Sequence, residues 1–100
     1  MKRSGLRFHP AAQAELLAAQ AWYWERNEAT GDAFFLEIER GLDEIAEHPQ
    51  RWPLCGHGAR KFILRRFPFS IVYIRRETAI EIVAVAHGKR RPEYWKRRWG

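Results

Sequence analysis

The hydrophobic period of this chain changes once. From residue 10 to 47 apolar side chains recur every three or four positions, and from residue 60 to 87 they alternate every two. The first spacing lines one face of a helix and the second one face of a strand. A chain of this kind must therefore fold as a helical half followed by a strand half.

In the first half, "AAQAELLAAQAWYWER" is rich in good helix formers. Pro10 suits its first turn, where the missing N–H would be unpaired anyway. Ala12, Leu16, Ala19 and Tyr23 make one apolar face, and Leu17, Ala21 and Trp24 widen it. "NEATGD" reads as a short turn. "AFFLEIERGLDEIAEHP" is a second helix with Phe34, Phe35, Ile38, Leu42 and Ile45 on one side, stopped at Pro49. Gly41, which costs about 1 kcal/mol relative to Ala, is expected to permit a close helix crossing. The two helices form an antiparallel hairpin.

"HPQRWPLCGHGA" reads as a loop. In "RKFILRRF", Arg60, Phe62 and Leu64 alternate with Lys61, Ile63 and Arg65; "FSIVYI" is a buried strand, "RRET" a turn, and "AIEIVAVAH" a strand with Ile80, Ile82, Ala84 and Ala86 on one face. These three strands form an antiparallel meander. "SGLRFHP", with Leu6 and Phe8 on one face, adds a strand at residues 3–8 to the same sheet. The expectation is a single α+β domain over residues 1–100, ordered β-α-α-β-β-β, with the helical hairpin packed on one face of an antiparallel sheet.

Charge is distributed unevenly. Residues 1–59 carry 6 Lys/Arg and 9 Asp/Glu, a net of −3, whereas residues 60–100 carry 12 and 3, a net of +9. Such asymmetry suggests an anionic partner, nucleic acid or an acidic protein segment; a basic surface serving only solubility is the alternative. An aromatic content of 14% argues against disorder. No apolar run approaches the ~20 residues of a membrane span. "MKRSGLRFHP" lacks the apolar core of a secretory signal. Cys55 has no cysteine partner in the chain, so the cytosol is the expected compartment.

There is no P-loop, GxGxxG or HExxH. His48 and His57 flank Cys55 at a spacing that matches no zinc pattern, and no cofactor is expected. Arg60, Lys61, Arg65 and Arg66 lie on or beside the first meander strand, Arg75 and Arg76 at the next turn, and Lys89, Arg90 and Arg91 after the last strand. Converged on one surface they would hold phosphates; as edge charges they would discourage aggregation. His87, ending the last strand, could serve as general acid or base or simply cap the strand by a hydrogen bond. Tyr94 and Trp95 could stack a base, or pack back and anchor the C-terminus. Residues 92–95 read as the start of a short terminal helix.

The segments "AELLAAQAWYWER", "AFFLEIERGLDEIAEHPQRWP", "RRFPFSIVYI" and "IEIVAVAHGKRRPEYWKRR" together resemble the RelE/ParE family of toxins from type II toxin–antitoxin, or plasmid stabilisation, systems. The resemblance covers nearly the whole chain, and FP-F-x-I-V-Y combined with H-x-x-R-x-P-x-Y-W is its most specific part. It implies growth inhibition held in check by a cognate antitoxin. RelE-like members cut mRNA on the ribosome without metal; ParE-like members inhibit DNA gyrase. For the nuclease, the resemblance implies His87 or Tyr94 as acid/base and Lys61 and Arg90 as phosphate clamps. Arg60, Lys61, Arg65, Lys89, Arg90 and Arg91 are the candidates for target or phosphate binding. Ser70 stands where the nucleases carry a strand arginine, and Ile63 where they carry a second lysine. A missing electrostatic donor typically costs ~10²–10³ in rate, so the ParE-like reading is favoured. The antitoxin segment implied is extended or helical and acidic, covering apolar grooves on the hairpin or the basic sheet face.

Overall fold

The computed structural model describes residues 5–99. Of the first strand expected at residues 3–8, the first two residues lie outside them. The elements are β1 (Leu6–Phe8), α1 (Pro10–Arg26), α2 (Glu28–Glu47), β2 (Leu54–Gly56), β3 (Ala59–Ile63), β4 (Phe69–Arg76) and β5 (Ala79–His87).

Local chemistry sets the helix ends. His9 caps α1, its Nδ1 accepting from the Ala11 N–H at 3.0 Å, with Pro10 in the first turn. Asn27 closes one helix and opens the next: its N–H donates to Tyr23 O at 2.9 Å, and its side chain accepts from Thr30 N–H at 3.0 Å. The expected turn over residues 27–32 thus shrinks to Asn27, and Glu28 to Asp32 already belong to α2. Two such caps satisfy backbone groups that a helix end otherwise leaves open. Gly31 lets the hairpin close, since a Cβ there would sit 1.9 Å from the Trp24 ring. Gln20, buried between the helices, donates to Gly31 O at 3.1 Å.

The strands form one sheet in the order β1-β5-β4-β3-β2. The meander is antiparallel as expected, with two differences. β1 runs parallel to β5, pairing Leu6 with Ile80 and Phe8 with Ile82. The long connection through the helical hairpin and the meander permits this direction, which a tight hairpin would not. An added strand, β2, comes from the stretch read as a loop. It is a three-residue edge strand folded back on β3 through Gly56, His57 and Gly58, all at positive φ.

The helices cover one sheet face. Phe34, Ile38, Leu42 and Ile45 from α2 meet Ile71, Tyr73, Ile80, Ile82 and Val85. Tyr23, Phe34 and Phe67 cluster with ring centroids 4.9–5.2 Å apart. Phe35, Leu17 and Trp24 do not join this core; they are exposed on the hairpin. Gly41 faces the sheet and not the other helix: a Cβ there would lie 2.9 Å from Ile71 Cδ1 and Phe62 Cε1. Tyr73 ties the sheet to the loop after α2 by donating to Pro49 O at 2.7 Å, and burial pushes its hydroxyl pKa up to about 12.

β5 contains a bulge. Val72 pairs with Ala84 but Tyr73 pairs with Ile82, which leaves Val83 unmatched. One extra residue reverses the alternation beyond it. Ile80 and Ile82 face the helices, as does Val85, while Ala84 and Ala86 turn to the other face with Val83. The single face expected for Ile80, Ile82, Ala84 and Ala86 is therefore divided at Val83.

Phe34, fully buried among three aromatic rings, is the test of this core. Phe34→Ala is expected to cost about 3–5 kcal/mol, read as a lowered urea midpoint with little change in slope.

Candidate functional site

β1 pairs with only the first half of β5. Past Ile82, whose carbonyl accepts from His9 N–H at 2.8 Å, the edge of β5 has no neighbouring strand among the described residues. Side chains complete it instead. Glu15, on α1, accepts the Val85 N–H at 3.0 Å, and Arg98 donates to Val83 O at 2.9 Å. The two side chains also join each other through two hydrogen bonds of 3.0 and 2.8 Å, the fork geometry that makes arginine–carboxylate pairs strong. Tyr94 adds its hydroxyl, donated to Glu15 at 2.8 Å.

This draws residues 92–99 over the sheet face that the helices leave bare. The strap is a series of turns closed by Lys96 N–H to Glu93 O and Arg98 N–H to Trp95 O, both 3.0 Å. The expected terminal helix does not form, because Glu93 adopts φ 60°, in the left-handed region. Trp95 is 4% exposed and packs with Val72, Ile74, Val83 and Ala84. It serves as the anchor that the sequence suggested. At the far side His57 and Glu93 meet at 2.9 Å, and Gly56 leaves room for them, since a Cβ there would lie 2.9 Å from Glu93 Oε2.

Two hollows flank the strap's root. An outer hollow of about 210 Å³ is lined by Cys55, Lys61, Ser70, Gly88, Arg91 and Tyr94 among others. An inner groove of about 450 Å³ runs between α1 and the end of β5, lined by Glu15, Ala18, Trp22, Tyr23, Phe69 and Val85. His87 and Arg90 line both.

The candidate residues divide between these places. Lys61 pairs with Val72 on the outer face and opens onto the outer hollow, with Arg91. Arg60 pairs with Tyr73 on the helix side, and its Nη1 donates to Trp52 O at 2.7 Å. Arg65 follows β3, where Glu37 of α2 accepts its N–H and that of Arg66. Neither Arg60 nor Arg65 lines either hollow. Lys89 is exposed, and its N–H donates to His87 Nδ1 at 3.0 Å. The neutral His87 therefore carries its proton on Nε2. Its ring meets Phe69 edge-on at 5.0 Å, on the helix side of the sheet. Arg90 lies 3.7 Å above the Tyr94 ring and 3.9 Å from Glu15.

Electrostatics distinguishes binding from proton transfer here. Burial, and then the hydrogen bond to Glu15, hold the Tyr94 hydroxyl far above its ordinary pKa, so it resists acting as a base. For Glu15, burial would raise the carboxyl, but the hydrogen bonds from Arg98, Val85 and Tyr94 outweigh it and leave it below its ordinary value. Burial raises the Cys55 thiol. Among the described residues, no three His, Cys, Asp or Glu are grouped to hold a metal ion. What remains is a rim of cations, Lys61, Lys89, Arg90 and Arg91, suited to an anionic surface. Glu15 itself was missed by sequence reasoning. The available signal was a carboxylate on the border of the α1 apolar face, in a chain whose basic C-terminus needs a counter-charge.

The architecture is that of a small α+β domain, a helical hairpin on a mostly antiparallel sheet, with cations at its rim. Residues 6–92 match the family model for the ParE toxin of the type II toxin–antitoxin system, parDE, and the chain belongs to that family. A solved structure described as the chromosomal ParDE TA system from P. aeruginosa superposes with a TM-score of 0.71 at 21% identity, covering 87% of this chain and 98% of that one. It shares the fold. No curated protein matches the chain. No helix among the described residues is long and apolar enough to cross a membrane.

The direction of the Glu15 shift fixes a pH dependence. A carboxyl held below its ordinary value stabilises the fold above that value, and the stabilisation is lost as pH falls through the folded-state pKa. The urea midpoint of the native chain is expected to drop as pH falls below 4.5. Glu15→Gln should start lower at neutral pH and show a shallower acid decline, measured as midpoints from pH 7 to pH 3.

Proposed function

We propose that this chain is the growth-inhibiting toxin of a toxin–antitoxin pair, acting in the cytoplasm by blocking a protein target, DNA gyrase, and not by cutting RNA. The observation that carries the reading is the fate of the proton-transfer groups. Tyr94 is tied to Glu15 and its hydroxyl resists ionisation. The His87 ring lies against Phe69 and its Nδ1 is taken by the Lys89 N–H. Ser70 occupies the strand position where the ribosome-dependent nucleases carry an arginine. Cations that can attract a surface are present, while the groups that would move protons are engaged elsewhere.

The antitoxin is the second partner. Leu17, Trp22, Trp24, Phe35 and Leu36 are each 46–58% exposed on the helical hairpin. Exposed apolar side chains on the hairpin support a docking site there for an amphipathic segment. Acidic residues on that segment would reach the cationic rim and compete with the target for it.

The test is induced expression in bacteria lacking the antitoxin, with gyrase supercoiling and mRNA integrity followed together. Loss of supercoiling with intact mRNA is expected, as is inhibition of purified gyrase weakened roughly tenfold by Arg90→Ala, the effect of about 1.4 kcal/mol. Codon-phased mRNA cleavage that Arg90→Ala or Lys61→Ala abolishes would establish the nuclease instead. Unimpaired growth would point to a nucleic-acid-binding module without toxicity.

A further inference from the structure

Glu15 spends its whole hydrogen-bonding capacity inside the molecule. Oε1 accepts from Val85 N–H and Arg98, and Oε2 from Tyr94 and Arg98. An ionised carboxylate has about four such sites. The pair is shielded from water, with side-chain exposures of 17% for Glu15 and 18% for Arg98. Arg90, by contrast, is 53% exposed; among the described residues its guanidinium lies over the Tyr94 ring and beside the Glu15 charge.

We propose that Glu15 is a positioning residue for the cationic rim: it clasps the C-terminal strap to the open edge of β5 and, through Tyr94, fixes the direction in which Arg90 meets its partner. The inference rests on the reading of Arg90 as part of the target surface. A long side chain held in its bound geometry loses less freedom on association. Remove the clasp and the positive charge stays, but its direction is no longer set. Glu15→Gln also deletes one negative charge at the rim. Generic attraction to anions therefore rises while productive contact falls. A residue that merely stabilised the fold would add its loss to that of Arg90→Ala, whereas a positioning residue shares it.

The full-length protein, Glu15→Gln, Arg90→Ala and the double variant are compared in four measurements. These are retention on a heparin column, hydrogen exchange at the Lys96 and Arg98 amides, the urea midpoint, and the dose for growth arrest at matched protein levels. Glu15→Gln is expected to bind heparin more tightly and to exchange both amides at least ~10-fold faster. It should need roughly tenfold more protein for arrest, the cost of one charge-assisted contact. Added to Arg90→Ala it should cause little further loss, because the two act through one interaction. Undiminished arrest by Glu15→Gln beside an impaired Arg90→Ala overturns the positioning role alone, as do losses that multiply in the double variant. A fully active Arg90→Ala overturns the target-surface reading, and the positioning role with it. Should Glu15→Gln fail to fold, Tyr94→Phe removes a single hydrogen bond and keeps the ring. It is expected to weaken arrest in the same direction by a few-fold, and full activity there overturns the proposal.

Discussion

β1 is too short to cover β5, and much of the molecule follows from that. Its pairing ends at Phe8 and Ile82, where the chain turns into α1. Val83 C=O and Val85 N–H are then left at a buried edge, where unpaired backbone groups are costly. Arg98 and Glu15 meet them one by one, so two side chains from opposite ends of the sequence do the work of a missing strand. The residues between β5 and Arg98 are thereby committed to crossing the open sheet face. They bring Trp95 onto Val72, Ile74 and Ala84.

The result is three layers: hairpin, sheet and strap. Both sheet faces carry buried apolar side chains, which is why the strongly basic half of the chain does not present a cationic face. Lys61, Lys89, Arg90 and Arg91 gather at the margin where β5 leaves the sheet and the strap begins, while Arg75 and Arg76 lie at the other end of β5. The bulge at Val83 contributes by turning His87 toward the helices and Ala86 toward the strap. A rim of this shape suits a partner that approaches edge-on.

How far the sequence foretold this depended on the range of the signal. Helices and meander were legible because their periods are local, and Pro10, Pro49 and the β-branched runs punctuate them. The exposed Leu17, Trp24 and Phe35 were misread as core because an apolar residue next to a helical stripe looks the same whether the neighbouring layer reaches it or not. Asn27 acting as a double cap could not be told from an ordinary turn residue, and β2 was hidden in a stretch rich in Gly and Pro. The parallel direction of β1 was missed because no local pattern records which strand a segment pairs with. Val83 escaped notice because a bulge is defined by its partner strand. At the candidate site, Lys61, His87, Arg90, Arg91 and Tyr94 were found as chemistry-bearing types and do lie near one another. Arg60 and Arg65 were chosen by sequence neighbourhood and line neither hollow. Glu15, far from the rest in sequence, had only a charge imbalance to announce it.

The strap also carries its own optical signature. Trp95 and Trp99 stack with centroids 5.6 Å apart and rings 16° from parallel, close enough for their electronic transitions to couple. The other three tryptophans lie elsewhere: Trp22 and Trp24 exposed on α1 and Trp52 against Phe62. Near-ultraviolet circular dichroism of the unlabelled protein therefore has a component that belongs to the last few residues of the chain, and it reports whether they are seated.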